Sequence, residues 1–373
     1  MIRKFKAIEA ELNGTYLERR EVIRGLMVGL LAKQHVCEIG APGGGKSALA
    51  DDLCSRIGGE FFDTLLARTS TPEEILGPLN IAALEQGRYE RVTDGTLITA
   101  NIAFIDEIWK CNSAVLNGML KILNERKYKQ GRTMVNVPLA MAIGASNELP
   151  EDREELGALW DRFGLRYIIS YIKDPRNFEA LLAGAGSGQP KTTIDMKELM
   201  IAQNETQQVD ISRIITQITK LRGILQGMNI PVSDRRWKQS LALVKANAWI
   251  EGRTIAADDD LEILVHALWQ DPGQIPQVRQ AIMELANPLD QEALDLHDQA
   301  LEIWQNAMNA GEETASKLGT EANAKLKKIT KRLQELQTAA QTSGKSDTRI
   351  AETLAATLDF NKQVIGKCLG ITL

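Results

Sequence analysis

Residues 40–47 read Gly-Ala-Pro-Gly-Gly-Gly-Lys-Ser, and this glycine-rich turn constrains the chain more than any other stretch. The pattern G-x-x-x-x-G-K-[ST] suits a backbone that must wrap a polyphosphate. Glycines let successive N–H groups point inward, the lysine reaches the outer phosphates, and the hydroxyl meets the accompanying cation. The pattern carries weight only between a strand and a helix. Here 35–39 (His-Val-Cys-Glu-Ile) reads as a strand, and Lys46 to Ile57 reads as a helix stopped by Gly58-Gly59. Further on, the apolar run Ile102-Ala103-Phe104-Ile105 ends in Asp106-Glu107. A buried strand of that form delivers one carboxylate to a divalent cation and the next to a water. Gly40, Ala41, Pro42, Gly43, Gly44, Gly45, Lys46, Ser47 and Ala48 are therefore expected to cradle phosphates. Ser47 and Asp106 are expected to ligate Mg²⁺, and Glu107 to polarise an attacking water, so ATP and Mg²⁺ are the implied cofactors.

Composition narrows the class. The 373 residues give a length prior of two to three domains, with 44% hydrophobic and 25% charged residues. A net charge of −5 argues against a chain whose main task is to neutralise a nucleic-acid backbone, and no nucleic-acid partner is expected. Cys37, Cys54, Cys111 and Cys368 lack C-x-x-C spacing, and His35, His266 and His297 form no ligand-like pair, so no structural metal is expected. The apolar stretch Gly25 to Ala32 is ended by Lys33 and is short for a signal peptide. No run approaches the roughly 20 apolar residues of a membrane span, and a cytoplasmic protein is expected.

Along the chain, an amphipathic helix carrying Leu17, Val22, Ile23, Leu26, Val28 and Leu31 leads into the first strand. Phe61 to Leu66 reads as a strand, and Ser70-Thr71-Pro72-Glu73-Glu74 as a helix start with N-cap, N1 proline and acidic first turn. Ile81 to Leu97 reads as a hairpin turning at Glu85-Gln86-Gly87-Arg88, with Tyr89, Arg91 and Val92 on the return arm. Ser113 to Glu125 is an amphipathic helix, Lys127 to Val137 a second hairpin, and Leu139 to Ala145 a buried strand ending at Ser146-Asn147. Strands alternating with helices predict a parallel α/β sheet with helices on both faces. Gly184 to Pro190 reads as a linker, and beyond it Ile211 to Gln226, Asp234 to Ile250 and Ala257 to Trp269 read as helices. In the last hundred residues, Leu289, Ala293, Leu296, Ala300 and Ile303, then Leu326, Ile329, Leu333, Leu336 and Ala340, step by threes and fours. With Ile350, Leu354 and Leu358 on a third helix, and short connectors at Ala310-Gly311 and Ser343-Gly344, they predict an antiparallel three-helix arm. The expected division is an α/β nucleotide-binding part over 1–190, an all-α lid over 191–273 and the arm over 274–373.

The phosphate loop, the Asp-Glu pair, the polar Asn147 closing Met-Ala-Ile-Gly-Ala-Ser-Asn, and the following Asp161-Arg162 together resemble the AAA+ ATPases, specifically their MoxR group, over residues from about 10 to 270. The resemblance implies ATP hydrolysis in a hexameric ring, with Asn147 as the sensor that orients the hydrolytic water. It implies Arg162 as the arginine finger acting on a neighbouring subunit's ATP, and Arg235 as the lid's contact to the γ-phosphate. Arg166 competes with Arg162 for the finger and Arg236 with Arg235 for the lid contact, and both choices stay open here. The two hairpins resemble insertions of this clade that face the ring's pore, which makes Tyr89, Arg91, Tyr128 and Lys129 pore candidates.

Where most MoxR proteins follow the Asp-Glu pair with Ile-Asn-Arg, this chain has Ile108-Trp109-Lys110. With Asn124-Glu125-Arg126, Ser233-Asp234-Arg235-Arg236-Trp237 and the helical arm, that variation is similar to the regulatory ATPase variant A (RavA) subgroup. The β-rich domain inserted at the arm's tip in that subgroup has no room in either connector. The implied partners are a homo-oligomer, a protein with a von Willebrand factor A (VWA) domain, and a protein substrate for chaperone-like remodelling. An activase or chelatase-type accessory ATPase is the alternative, followed by a nucleic-acid motor and by a scaffold in which ATP only drives assembly.

Overall fold

The computed structural model describes residues 1–150, 153–184, 192–309, 312–342 and 347–369. The chain divides into two compact units, Met1–Val278 and Arg279–Leu373. The first opens with helices α1 (Ile2–Thr15) and α2 (Arg20–Ala32), then strand β1 (His35–Ile39), α3 (Lys46–Arg56), β2 (Phe61–Leu65), α4 (Pro72–Leu76) and α5 (Ile81–Glu85). It continues through β3 (Ile102–Asp106), α6 (Ser113–Glu125), β4 (Lys127–Gln130), β5 (Thr133–Asn136), β6 (Met141–Ser146), α7 (Arg153–Trp160), β7 (Phe163–Ile168) and α8 (Pro175–Leu182). Helices α9 (Met196–Gln207), α10 (Ile215–Gly227) and α11 (Asp234–Ile250) follow, and the boundary between the units falls in α12 (Ile275–Ala286). Among the described residues no helix is long and apolar enough to cross a membrane.

Five strands form an all-parallel sheet in the order β2-β3-β6-β1-β7. Every residue of β1 and of β6 is buried, so both faces of the sheet's centre are covered, as parallel strands require. Edge strand β2 instead alternates exposed and buried residues. Register sets the site: Ile39 pairs with Ser146, and Ile105 with Gly144, so β1, β6 and β3 finish nearly level. Because the strands are parallel, everything that follows them emerges at one edge, where ligands of open α/β sheets collect. His35 braces this centre from inside. Its Nδ1 accepts the Ala142 N–H at 2.8 Å, which leaves Nε2 to donate to the Leu123 carbonyl at 2.7 Å. Burial holds its pKa down to about 3, aided by the nearby Arg126 charge, so the ring is neutral and tethers α6 to the sheet.

Several sequence expectations land on their elements. Strands over 35–39 and 102–106, helices over 113–125 and 234–250, and the hairpin over 127–136 occupy those residues. At the helix start at Thr71-Pro72, Glu74 Oε1 accepts the Thr71 N–H at 2.9 Å, one arm of a capping box. Other expectations are corrected. Ile81 to Leu97 is not a simple hairpin: the Asn80 side chain accepts the Ala83 N–H at 3.1 Å and starts helix α5, and the loop closes only through an antiparallel bridge between Leu79 and Arg91. Ala257 to Trp269 is not an α-helix but a 3₁₀ segment over Asp258–His266. The Asp260 carboxylate accepts from the Ala257 N–H at 2.9 Å, Asn247 Nδ2 at 3.0 Å and Arg253 at 2.5 Å, which fixes a tighter turn. Leu17 lies between α1 and α2 rather than in a helix, and α1, β7, α8 and α9 add to the elements read from sequence. Of the expected linker, only Gly184 is among the described residues.

In the second unit, α13 (Pro288–Met308), α14 (Glu312–Thr342) and α15 (Thr348–Leu369) share a core of Ala293, Ala300, Leu326, Leu333, Ile350 and Val364. Contacts of His297 with Phe360, Trp304 with Gln363 and Met308 with Lys367 run α13 and α15 side by side in one direction. With α14 following directly on α13, the ion pair of Glu292 with Arg332 places α14 antiparallel to them, as the short connectors predict. The connectors at 310–311 and 343–344 lie outside the described residues.

Glu38 is the unusual core residue. It is fully buried on β1, and neither carboxylate oxygen has a hydrogen-bond partner among the described residues. Burial pushes its pKa up to about 8 against the opposing pull of Lys46 and Arg19. A carboxyl raised on folding contributes fully below its ordinary pKa of 4.5 and loses that contribution as pH climbs toward 8. Glu38→Gln is therefore expected to change stability little at pH 5 and to raise it by on the order of 2–4 kcal/mol at pH 8, read by urea unfolding. A gain that is equal at both pH values would contradict a protonated Glu38.

Candidate functional site

The turn between β1 and α3 is built to approach other backbone closely. At Gly40 a Cβ would lie 2.1 Å from the Ile169 carbonyl oxygen, so only glycine lets the loop leave β1 beside the end of β7. Gly45 caps α3 at φ 82°, a left-handed conformation that sets Lys46 and Ser47 in the first turn of the helix. Lys46 Nζ donates to the carbonyls of Gly40 at 2.6 Å and Ala41 at 3.1 Å, and to Asn147 Oδ1 at 3.1 Å. The Asn147 amide then donates Nδ2–H to Glu107 Oε1 at 2.6 Å. Glu107 Oε2 stands 3.3 Å from the Lys110 ammonium. The ends of three neighbouring strands are thus joined in one polar line from Lys46 through Asn147 to Glu107.

Glu107 has φ 51°, left-handed for a residue with a side chain, and its N–H donates to Asp106 Oδ1 at 2.9 Å. Such a conformation costs on the order of 1–3 kcal/mol and recurs where a side chain must be aimed. Asp106 and Ser47 supply hard oxygen donors of the kind Mg²⁺ takes, and no cluster of three or more His, Cys, Asp or Glu that could hold a metal exists among the described residues. A two-ligand protein contribution fits an ion that draws its remaining oxygens from phosphates and water.

The four arginines separate sharply. Arg166, on β7, is fully buried; it donates to the carbonyls of Trp269 at 2.5 Å and Trp160 at 3.2 Å and lies over the Trp160 ring at 4.3 Å. Arg236 is also buried, donating to Asp161 Oδ1 at 3.1 Å and to the carbonyls of Phe163 and Ala267 at 3.2 and 3.0 Å. Arg162 and Arg235 each lie 3.8 Å from Asp161 Oδ2, and Arg235 also donates to Asn124. Burial lowers the Arg162 pKa, and the Arg235 charge beside it adds to the effect. Asp161 therefore gathers Arg162, Arg235 and Arg236 on one carboxylate.

Trp109 packs against Trp160 and Phe163, with ring centroids 5.5 and 5.8 Å apart, as a packing residue would. Of the pore candidates, Tyr89 is exposed, whereas Arg91 is largely covered and bound to Glu73 at 3.1 Å and the Gly77 carbonyl at 2.6 Å. Sequence reasoning missed Arg19, Tyr16 and Tyr171, whose side chains reach the carbonyls of Gly44, Ala48 and Pro42. Glu18-Arg19-Arg20-Glu21 reads as an ordinary charged helix start, and no local pattern marks its second residue as buried.

A family model for the MoxR domain of MoxR-vWA-beta-propeller ternary systems matches residues 3–210, and one for an AAA lid domain matches residues 213–282. An uncharacterised protein of Methanocaldococcus jannaschii is 39% identical over 83% of this chain and 80% of its own length. A second from the same organism is 36% identical over 97% of this chain and 99% of its own. Chaperone MoxR1 of Mycobacterium tuberculosis is 26% identical over 49% of each chain. A solved structure of a candidate ATPase from Cytophaga hutchinsonii covers 77% of this chain and 95% of that one with a TM-score of 0.61 at 16% identity, a likeness of fold alone.

The division among the arginines has a direct consequence for stability. Arg166→Ala is expected to cost about 3–5 kcal/mol in urea unfolding, because it empties a buried cation site lined by carbonyls and tryptophan. Arg162→Ala is expected to cost less than Arg166→Ala, because its partner Asp161 keeps Arg235 and Arg236 when Arg162 is removed. Equal losses for the two would contradict this separation.

Proposed function

Because the chain belongs to the MoxR family of AAA+ ATPases, with an α/β sheet and an all-α lid, we propose that it hydrolyses ATP at the interfaces between subunits of a hexameric ring. The observation that carries this reading is the hydrogen-bonded line Lys46–Asn147–Glu107 across the tips of β1, β6 and β3. Lys46 exchanges its carbonyl partners Gly40 and Ala41 for the β- and γ-phosphates, while the N–H groups of 43–48 surround them. Ser47 and Asp106 would hold Mg²⁺, which when bound offsets the negative charge of the phosphate oxygens. Glu107 takes a proton from the attacking water, and Asn147 holds that carboxylate at its working angle. Through Asn147, a shift of Lys46 toward phosphate is felt directly at Glu107.

Arg162 supplies the charge that stabilises the transferring phosphoryl group on the neighbouring subunit. The burial of Arg166 against Trp160 and Trp269 favours Arg162 over it. For the lid contact, the burial of Arg236 similarly favours Arg235. In this reading residues 1–190 bind nucleotide, 191–273 act as the lid and 274–373 form an arm that meets a partner. The family description supports a VWA-domain co-protein, with a β-propeller protein as the third component, and a chaperone-like role in maturing a protein complex. Likeness to the RavA subgroup rests on Ile108-Trp109-Lys110, Asn124-Glu125-Arg126, Ser233-Asp234-Arg235-Arg236-Trp237 and the three-helix arm.

Glu107→Gln is expected to bind ATP normally and to lower steady-state hydrolysis at least about a hundredfold. Arg162→Ala should show a similar loss, and mixing the two inactive variants should recover part of the activity at hybrid interfaces that pair an intact Glu107 with an intact Arg162. Full activity of Arg162→Ala, or no recovery on mixing, would overturn the intersubunit site.

A further inference from the structure

A loop that cradles phosphates must turn its N–H groups inward, and the geometry of the trans peptide then turns the preceding carbonyls outward. An outward carbonyl without a donor is free to flip, and each flip replaces an inward N–H with a repelling oxygen. In this chain Lys46 holds the carbonyls of Gly40 and Ala41, and the donors for those of Pro42 and Gly44 come from side chains outside the motif. Arg19, at the junction of α1 and α2, donates to the Gly44 carbonyl from Nη2 at 3.0 Å and Nε at 3.3 Å. The same Nη2 reaches the Ser170 carbonyl at 2.8 Å, and Nη1 reaches the Glu18 carbonyl at 3.0 Å. Only 9% of the residue is exposed, so this guanidinium is built into the fold rather than laid on its surface. The Tyr171 hydroxyl donates to the Pro42 carbonyl at 3.0 Å.

The anchor is itself fixed. Glu18 takes φ 57°, and its carboxylate accepts the N–H groups of Lys173 and Asp174, both at 2.9 Å, and Asn177 Nδ2 at 3.0 Å. Two consecutive residues, Glu18 and Arg19, therefore tie loop 40–47 to the chain that leaves β7. The peptide whose carbonyl Arg19 holds is the one whose N–H belongs to Gly45, and the peptide held by Tyr171 carries the N–H of Gly43. We infer that Arg19 is a positioning residue for nucleotide: its fork pins the Gly44 carbonyl outward and so aims the Gly45 N–H at the phosphates, with Tyr171 doing the same for Gly43.

This rests on the proposed ATP-binding role of the loop, and the test separates the two. ADP affinity is measured by titration with fluorescently labelled ADP, alongside KM and kcat for ATP and the melting temperature without nucleotide. Arg19→Met is expected to weaken ADP binding about tenfold or more, because a charge-assisted pair of hydrogen bonds is lost. Arg19→Lys should not rescue it, since lysine keeps the charge but lacks the fork that spans two carbonyls. Tyr171→Phe should cost about threefold. In all three, KM should rise with kcat changed less than about threefold, and inorganic tripolyphosphate should lose competitive strength in parallel. The inference is overturned if Arg19→Lys, which is expected to fold, binds ADP within twofold of the wild type, or if either Arg19 variant lowers only the melting temperature. Failure of the wild type itself to bind ADP would overturn the proposed function instead.

Discussion

Everything at this site depends on a cation, an amide and a carboxylate held in line: Lys46, Asn147 and Glu107. None of the three is near the others in sequence. Parallel pairing of β1 with β6 and β6 with β3, in a register that ends the strands together, brings them within hydrogen-bond reach. A one-residue slip in any of those pairings would turn the side chains to the opposite face and break the line. The hydrophobic runs of these strands are therefore as much a part of the line as the three polar residues. A carboxamide suits the middle position because it accepts from lysine and donates to carboxylate at the same time.

The interior holds charges that most cores exclude, and around the site two treatments of them stand apart. Arg166 and Arg236 are surrounded by main-chain carbonyls and, for Arg166, by tryptophan faces. Both tie β7 and its flank to the segment 267–269 that follows the 3₁₀ turn. Glu38 is handled differently: it has no donor among the described residues, and burial keeps it protonated near neutral pH. Arg19 belongs with the first group, since its charge is compensated by carbonyls of the phosphate loop and of the chain leaving β7. Arg166, Arg236 and Arg19 thus act as connectors between backbone segments that carry no pattern of their own.

Much of the frame was legible because local physics and tertiary role agree. The glycines and lysine of 40–47, the apolar run ahead of Asp106 and the proline-led start of α4 each have one cheap conformation, and each adopts it. Asn147 was legible for the same reason, as a polar residue ending an apolar strand. Strand β7 was not, because Arg166 interrupts its apolar pattern, and only the fold reveals that carbonyls and rings receive it. The segment 81–97 misled because Gly87 marks a turn in a hairpin and in a helix-turn alike, and the capping by Asn80 decides between them. The 3₁₀ turn at 258–266 depends on three donors converging on Asp260, two of them distant in the chain order of a helix. Arg19 was hidden for want of any local signal: its partner lies 25 residues away on a loop that has its own motif.

The most direct test of the line from Lys46 to Glu107 is single-turnover hydrolysis by Asn147→Ala, with ATP affinity measured in the same preparation. If the amide orients Glu107 and reports on Lys46, affinity should stay within about threefold while the chemical step slows by about a hundredfold or more. An unchanged chemical step with affinity intact would show that the carboxylate needs no such link and would contradict the account.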